Sequence, residues 1–312
     1  MIITHPQLCE GERKETHFFG GNYENLVEEG KKFKAIKAEY FGLFTDKKCN
    51  GIEGSSFVDG TPVLHQAYWA AKNINAMYSQ LGLKDKMKFI VMLREPISRD
   101  FSWYQHHMRQ YLTGHKTGKG YVASLKGSIK GIKTFKETWE AEIKAVKKGK
   151  KERNDVDNDI GGDYITQLQE FMKYFRRDQI LIFNSNYMFK HTHDAMEAIR
   201  VFLGIQPWVK WKTDPFPHDD HLGSTNNSDD PECVFKHIPK LDCSFRDLMY
   251  SHYEKNNKLL DTWMEETQTK GLAPPSEPLF ESFGKTHLNI SCVENARAEL
   301  DAIIETDIKD IC

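Results

Sequence analysis

The chain has 312 residues, 39% hydrophobic and 12% aromatic, with a formal net charge of −2. That length and apolar content suffice for a large buried core and exclude a disordered chain. The near-balanced charge gives no electrostatic argument for a nucleic-acid partner, and no apolar run reaches the roughly 18–20 residues of a membrane span.

The N-terminal stretch MIITHPQLCEGERKE has no apolar core, so no secretory leader is expected there. Residues 65–81 (HQAYWAAKNINAMYSQL) repeat apolar positions at helical spacing. Residues 88–93 (KFIVML) are short, continuous and apolar, and predict a buried strand. A helix follows from Ser98 to about Leu112, with Ser98 as its N-cap and Pro96 just before it. Residues 113–160 are polar and lysine-rich and read as a surface insertion around an amphipathic helix near 134–147.

Residues 163–176 predict a helix with Asp163 near its cap, 179–185 a strand, and 193–203 a helix stopped by Gly204. An irregular stretch over 212–244 precedes a helix at about 244–266, the loop GLAPPSEP, and a terminal amphipathic helix over 292–309. Alternation of strand and helix over one continuous length predicts an α/β fold with a parallel sheet.

Six cysteines occur, none in a CxxC pair, so a zinc site is not expected. Cys233 and Cys243 bracket a short polar segment and could close it as a disulfide; free thiols in a reducing compartment are the alternative. Asn226 and Asn289 stand in N-x-S/T sequons, which arise often by chance and only point towards a lumenal glycoprotein.

The chemistry concentrates where the apolar run ends in Arg94. Ligands of parallel α/β sheets bind where strands end and helices begin, and helix N-termini there offer free N–H groups to anions. A guanidinium at that point matches phosphate geometry, and Ser102, eight residues on, adds a hydroxyl. The pair is a candidate phosphate clamp. The kinase signature GxxxxGK[ST] is absent, and a strand ending in arginine lacks the aspartate that holds magnesium in such enzymes.

The segment LREPISRDFSWYQHH (93–107) resembles the 3′-phosphate-binding segment of sulfotransferases that use 3′-phosphoadenosine 5′-phosphosulfate. The likeness is strongest to the heparan-sulfate and Golgi carbohydrate branch, which carries a similar SWYQH run. Four further segments resemble the family in order: HPQLCEGERKETHFF (5–19), FVDGTPVL (57–64), the DYITQLQEFMKYF region from 163, and HYEKNNKLLDTW (252–263).

The resemblance implies a P-loop-NTPase-like, three-layer α/β fold with a central parallel sheet flanked by helices. It implies a sulfotransferase that uses 3′-phosphoadenosine 5′-phosphosulfate without a metal, acts on a hydroxyl or amine of a carbohydrate, and works in the Golgi. Glu15 corresponds to the general base, Arg94 and Ser102 to the ligands of the 3′-phosphate, and Lys14 to a charge near the leaving phosphate. His17, Thr61 and His106 are candidate acceptor contacts, with packing the alternative for His17.

The sulfotransferase domain is read as residues 1–266, with 113–160 inserted, and 267–312 as a C-terminal extension ending in a helix. The family's phosphosulfate loop, a K-x-G-T-T/S-x-L turn just upstream of the HP segment, is not found in these 312 residues. The domain is therefore read as lacking its first strand and that loop: a fragment of an active enzyme, or else an inactive sulfotransferase-like binding protein. The family's KGR loop is replaced by HLGSTNNSDDPECVFKHIPKLDC (221–243), where Lys236 or Lys240 could substitute for its basic core.

Overall fold

A computed structural model of the chain describes residues 5–11, 15–44, 54–62, 67–112, 133–147, 161–207, 240–267, 280, 282–283 and 291–305. Lys14, Cys233, Lys236 and both sequons lie outside them, as does most of 113–160. The elements, in chain order, are β1 (Leu8–Glu10), α1 (Tyr23–Glu28), α2 (Phe33–Gly42), β2 (Ser56–Val58), α3 (Ala67–Gln80), β3 (Phe89–Leu93), α4 (Pro96–Leu112), α5 (Phe135–Lys147) and α6 (Tyr164–Met172). They continue with β4 (Ile180–Asn184), α7 (Ser185–Lys190), α8 (Thr192–Leu203), β5 (Leu241–Asp242), α9 (Cys243–Thr267), β6 (Cys292–Val293) and α10 (Ala296–Glu305). The fold is α/β, and every strand pair is parallel. The chain divides into two compact units, one formed by residues 1–93, 165–216 and 263–281, the other by 94–164, 217–262 and 282–312.

In the first unit β1 pairs with β2, Leu8 opposite Ser56. Parallel pairing needs a crossover, and α1 and α2 lie in it. Phe18 and Phe19 open a π-helical turn (Phe18–Asn22) and are both buried, each with its ring centroid 4.9 Å from Tyr40 of α2. From α3, the Asn73 side-chain amide donates to the Phe19 carbonyl at 3.2 Å. His5 is also structural. Its Nδ1 accepts the Gln7 N–H (3.1 Å), which leaves Nε2–H to donate to the Gln206 carbonyl (2.9 Å).

β3 pairs with β4, with Phe89 opposite Ile180 and Leu93 opposite Asn184. β4 is buried throughout, and its Leu181 and Phe183 join a core with residues of α7 and α8. Gly204 ends α8 at φ 71°, the left-handed cap that the sequence predicts. β3 departs from the expected buried strand. Phe89 packs on Phe171 and Phe175, but Ile90 and Met92, which alternate to the other face, are 36% and 52% exposed. Among the described residues β3 pairs with β4 alone, and only one face of it is covered.

The second unit is built on α4, α5, α9 and α10. Ile97, Tyr104 and Met108 meet Phe135 and Trp139, then Phe245, Met249 and Tyr253, and finally Leu300. α5 forms where the spacing predicts a helix, and a capping box starts it. Thr134 N–H donates to the Glu137 carboxylate (2.8 Å), and Glu137 N–H donates to Thr134 Oγ1 (3.2 Å). α4 starts at Pro96 rather than Ser98. Proline suits the first helical position, where its missing N–H costs nothing, and the Glu95 carboxylate takes the Ser98 N–H at 2.6 Å. Ser102 consequently lies in the second turn.

Cys243 is bonded to Cys292, and Cys9 is also in a disulfide. This corrects the expected Cys233–Cys243 pairing, because a cysteine closes one bridge. The reason is the β5–β6 ladder, which sets Leu241 opposite Cys292 and so brings a cysteine 49 positions away beside the start of α9. Replacing Cys243 and Cys292 with serine should cost about 2–4 kcal/mol of unfolding free energy by urea titration. Reducing the wild-type protein opens the Cys9 bridge as well and should cost at least as much, whereas a double variant as stable as the wild type would show that the Cys243–Cys292 bridge contributes nothing.

Candidate functional site

Glu15 and His17 sit on the short segment between β1 and the buried Phe18–Phe19 pair. His17 Nε2 lies 3.3 Å from Glu15 Oε2, so an imidazole faces the carboxylate expected to act as base. His17 has φ 52°, the one positive-φ residue other than glycine among the described residues. It is largely exposed, which favours contact over packing among its two sequence readings.

Thr61 closes on this segment from the turn after β2. Its Oγ1 accepts the N–H groups of Thr16 (2.9 Å) and His17 (3.0 Å) and donates to Asp59 Oδ1 (2.6 Å). A hydroxyl has one donor and two lone pairs, so this one is fully used. Thr61 holds the backbone and has no hydrogen-bonding capacity left for an acceptor. Asp59, which is not among the candidate site residues read from the sequence, holds Thr61 in turn. The signal was present in D-G-T: an aspartate that accepts the N–H two residues on (3.0 Å) is an Asx turn.

The second constellation surrounds Arg94 in the other unit. Arg94 is exposed, and Tyr164 donates its hydroxyl to the Arg94 carbonyl at 2.8 Å, fixing the backbone directly after β3. Neither acidic neighbour closes a salt bridge on the Arg94 guanidinium among the described residues. Glu95 caps α4, and burial pushes its carboxyl up from the usual carboxylate range. Asp100 is fully buried and receives the Arg99 guanidinium (2.8 Å) and the Tyr253 hydroxyl. Burial pushes Asp100 up to about 6, against the opposing pull of Arg99 and Tyr253.

Gly162 lets this network close. A Cβ there would fall 2.6 Å from Pro96 and 3.0 Å from the Tyr253 ring. Ser102 is half-buried on α4, four residues from both Ser98 and His106, so the three share one helical face. His106 stacks on Trp103, with centroids 5.5 Å apart.

The structure thus brings Glu15, His17 and Thr61 together in one unit and carries Arg94, Ser102 and His106 on one strand-to-helix segment of the other. An exposed guanidinium with no bridging carboxylate and a clamped backbone fit a phosphate group. Among the described residues no cluster of His, Cys, Asp and Glu is suited to hold a metal, and no helix is long and apolar enough to cross a membrane.

Residues 73–214 match the sulfotransferase domain family, a span that includes Arg94, Ser102 and His106 but not Glu15. The human bifunctional heparan sulfate N-deacetylase/N-sulfotransferase 3 is 24% identical over 183 residues, covering 56% of this chain and 19% of the relative. The Xenopus laevis bifunctional heparan sulfate N-deacetylase/N-sulfotransferase 1 is 23% identical over 224 residues, covering 64% of this chain and 23% of the relative. The chain therefore spans about a fifth of the length of these curated relatives. A sulfotransferase from Alicyclobacillus acidocaldarius superposes with a TM-score of 0.51 at 16% identity, over 85% of this chain and 88% of that one. This likeness shows the fold, the P-loop-like α/β fold of that enzyme.

Proposed function

We propose that the chain, whose residues 73–214 match the sulfotransferase domain family, is a member of that family and moves a sulfonate group from 3′-phosphoadenosine 5′-phosphosulfate to a hydroxyl or amine of a carbohydrate. When bound, that donor supplies the sulfonate and departs as the 3′,5′-bisphosphate. Glu15 takes the proton from the attacking acceptor group, and His17 orients the Glu15 carboxylate. Arg94 and Ser102 hold the 3′-phosphate, and Lys14 neutralises charge on the leaving phosphate. His106, on its Trp103 stack, contacts the acceptor. The observation that carries the reading is Arg94: an exposed guanidinium on a backbone held by Tyr164, whose two acidic neighbours are both committed elsewhere. Charge-assisted contacts of a guanidinium to phosphate are among the strong hydrogen bonds.

The heparan sulfate relatives support a glycan acceptor. The Cys243–Cys292 bridge suits an oxidising lumen, and we place the protein in the Golgi on that ground together with the resemblance to carbohydrate sulfotransferases. The catalytic domain spans 1–266 in this reading, with 113–160 inserted and 267–312 appended.

The test is transfer of radiolabelled sulfonate from the donor to a desulfated heparan glycan by the full chain. Label in the glycan supports the reading. Binding of donor and glycan without any transfer would point instead to a non-catalytic binding protein.

A further inference from the structure

We infer that Asp59 and Thr61 are positioning residues for the proposed base, holding Glu15 in place through the backbone of Thr16 and His17. This inference rests on the assignment of Glu15 as base.

The arrangement is long-range and closed. Thr61 Oγ1 receives two consecutive N–H groups, those of Thr16 and His17, across 45 and 44 positions of sequence. Asp59 binds both partners: its Oδ1 takes the Thr61 hydroxyl and N–H, and its Oδ2 takes the Thr16 hydroxyl at 2.6 Å. Thr16 Oγ1 also accepts the Phe18 N–H at 3.3 Å, which joins the clamp to the buried Phe18–Phe19 anchor. Beneath it Tyr40 is buried, and burial, then Tyr78 and Asp59, hold its hydroxyl far above the usual phenol range, so it stays a proton donor.

The clamp explains the left-handed backbone of His17. That conformation disfavours a side chain with a Cβ and persists where its surroundings over-determine it. Here two neighbouring N–H groups converge on one oxygen, and the chain between them must bend. The bend sets the side chains of residues 15 and 17 within 3.3 Å of each other, as the Glu15–His17 contact requires. Remove the Thr61 hydroxyl and both N–H groups lose their partner.

Thr61→Val keeps the shape and removes the hydroxyl, whereas Thr61→Ser keeps the hydroxyl. A misplacement of about 1 Å in a catalytic group costs about 100-fold, so Thr61→Val should lower kcat by about 10- to 100-fold. Thr61→Ser should stay within about threefold of wild type. Affinity for adenosine 3′,5′-bisphosphate should not change in either, and amide exchange at Thr16 and His17 should accelerate in Thr61→Val only. In a Glu15→Gln background Thr61→Val should add little, because the two act through one group.

Three results would overturn the inference: a wild-type kcat in Thr61→Val, equal losses in the valine and serine variants, or an undiminished loss in the Glu15→Gln background. A wild-type chain that binds the bisphosphate but transfers nothing would sink the base assignment and this inference with it. Slow exchange at Thr16 and His17 would then leave the clamp as structure alone.

Discussion

Glu15→Gln should lower sulfonate transfer by about 10²- to 10⁴-fold, the usual contribution of a positioned general base. Glutamine keeps the length and shape of the side chain and its contact with His17, but it cannot take a proton. The loss should fall on kcat, with affinity for adenosine 3′,5′-bisphosphate within about twofold of wild type, because Glu15 is not asked to bind the nucleotide. Steady-state kinetics with a glycan acceptor, together with calorimetry on the bisphosphate, measures both. A parallel loss of nucleotide affinity would mean that Glu15 holds the donor instead.

Asp100→Ala should destabilise the protein by about 3–5 kcal/mol, the cost of removing one partner from a buried charged network. Asp100 is fully buried, and its loss removes the acceptor of the Arg99 guanidinium and Tyr253 hydroxyl bonds. The same residue sets a pH dependence. Its folded carboxyl titrates near 6 against an ordinary value of 3.8, so folding takes up a proton between those values. The stability this brings is fully present below about pH 4 and is lost as pH rises through about 6, a change of about 3 kcal/mol.

Urea unfolding across that window should therefore show a falling component in the wild type that is missing in Asp100→Asn, whose side chain does not titrate. The difference between the two curves isolates Asp100 from other titrating groups. Identical slopes would show that Asp100 is ionised throughout.

Local signals made much of this fold legible in sequence. Amphipathic spacing over 134–147 announced α5, and Gly204 announced the end of α8. The apolar run 89–93 announced β3 and the turn that delivers Arg94. It could not announce that Ile90 and Met92 stay exposed, because a continuous apolar run has no periodicity from which to read a covered and an open face. Proline at the first position of α4 hid the helix start, since Ser98 looked the better cap until Glu95 was seen to serve.

What was least legible is non-local. Cys243 finds Cys292 through strand pairing, not proximity in sequence. Thr61 presents itself as a polar candidate for the acceptor, and only the amides of Thr16 and His17, more than forty positions away, reveal that its hydroxyl is used up. Tyr164 reaches the Arg94 carbonyl across 70 positions, and Tyr253 reaches Asp100 across 153. The candidates Arg94 and Ser102 were legible by type and spacing and Glu15 through the resemblance; the residues that hold their backbone are visible only in the fold.

The account turns on Arg94 as a receptor for a 3′-phosphate, and one titration tests it most directly: calorimetry of the full chain with adenosine 3′,5′-bisphosphate and with adenosine 5′-monophosphate. A charge-assisted contact is worth about 1.5–3 kcal/mol, so the bisphosphate should bind about 10- to 100-fold more tightly, and Arg94→Ala should erase the difference while the monophosphate binds as before. Equal affinities for the two nucleotides, or a preference that survives in Arg94→Ala, would contradict it.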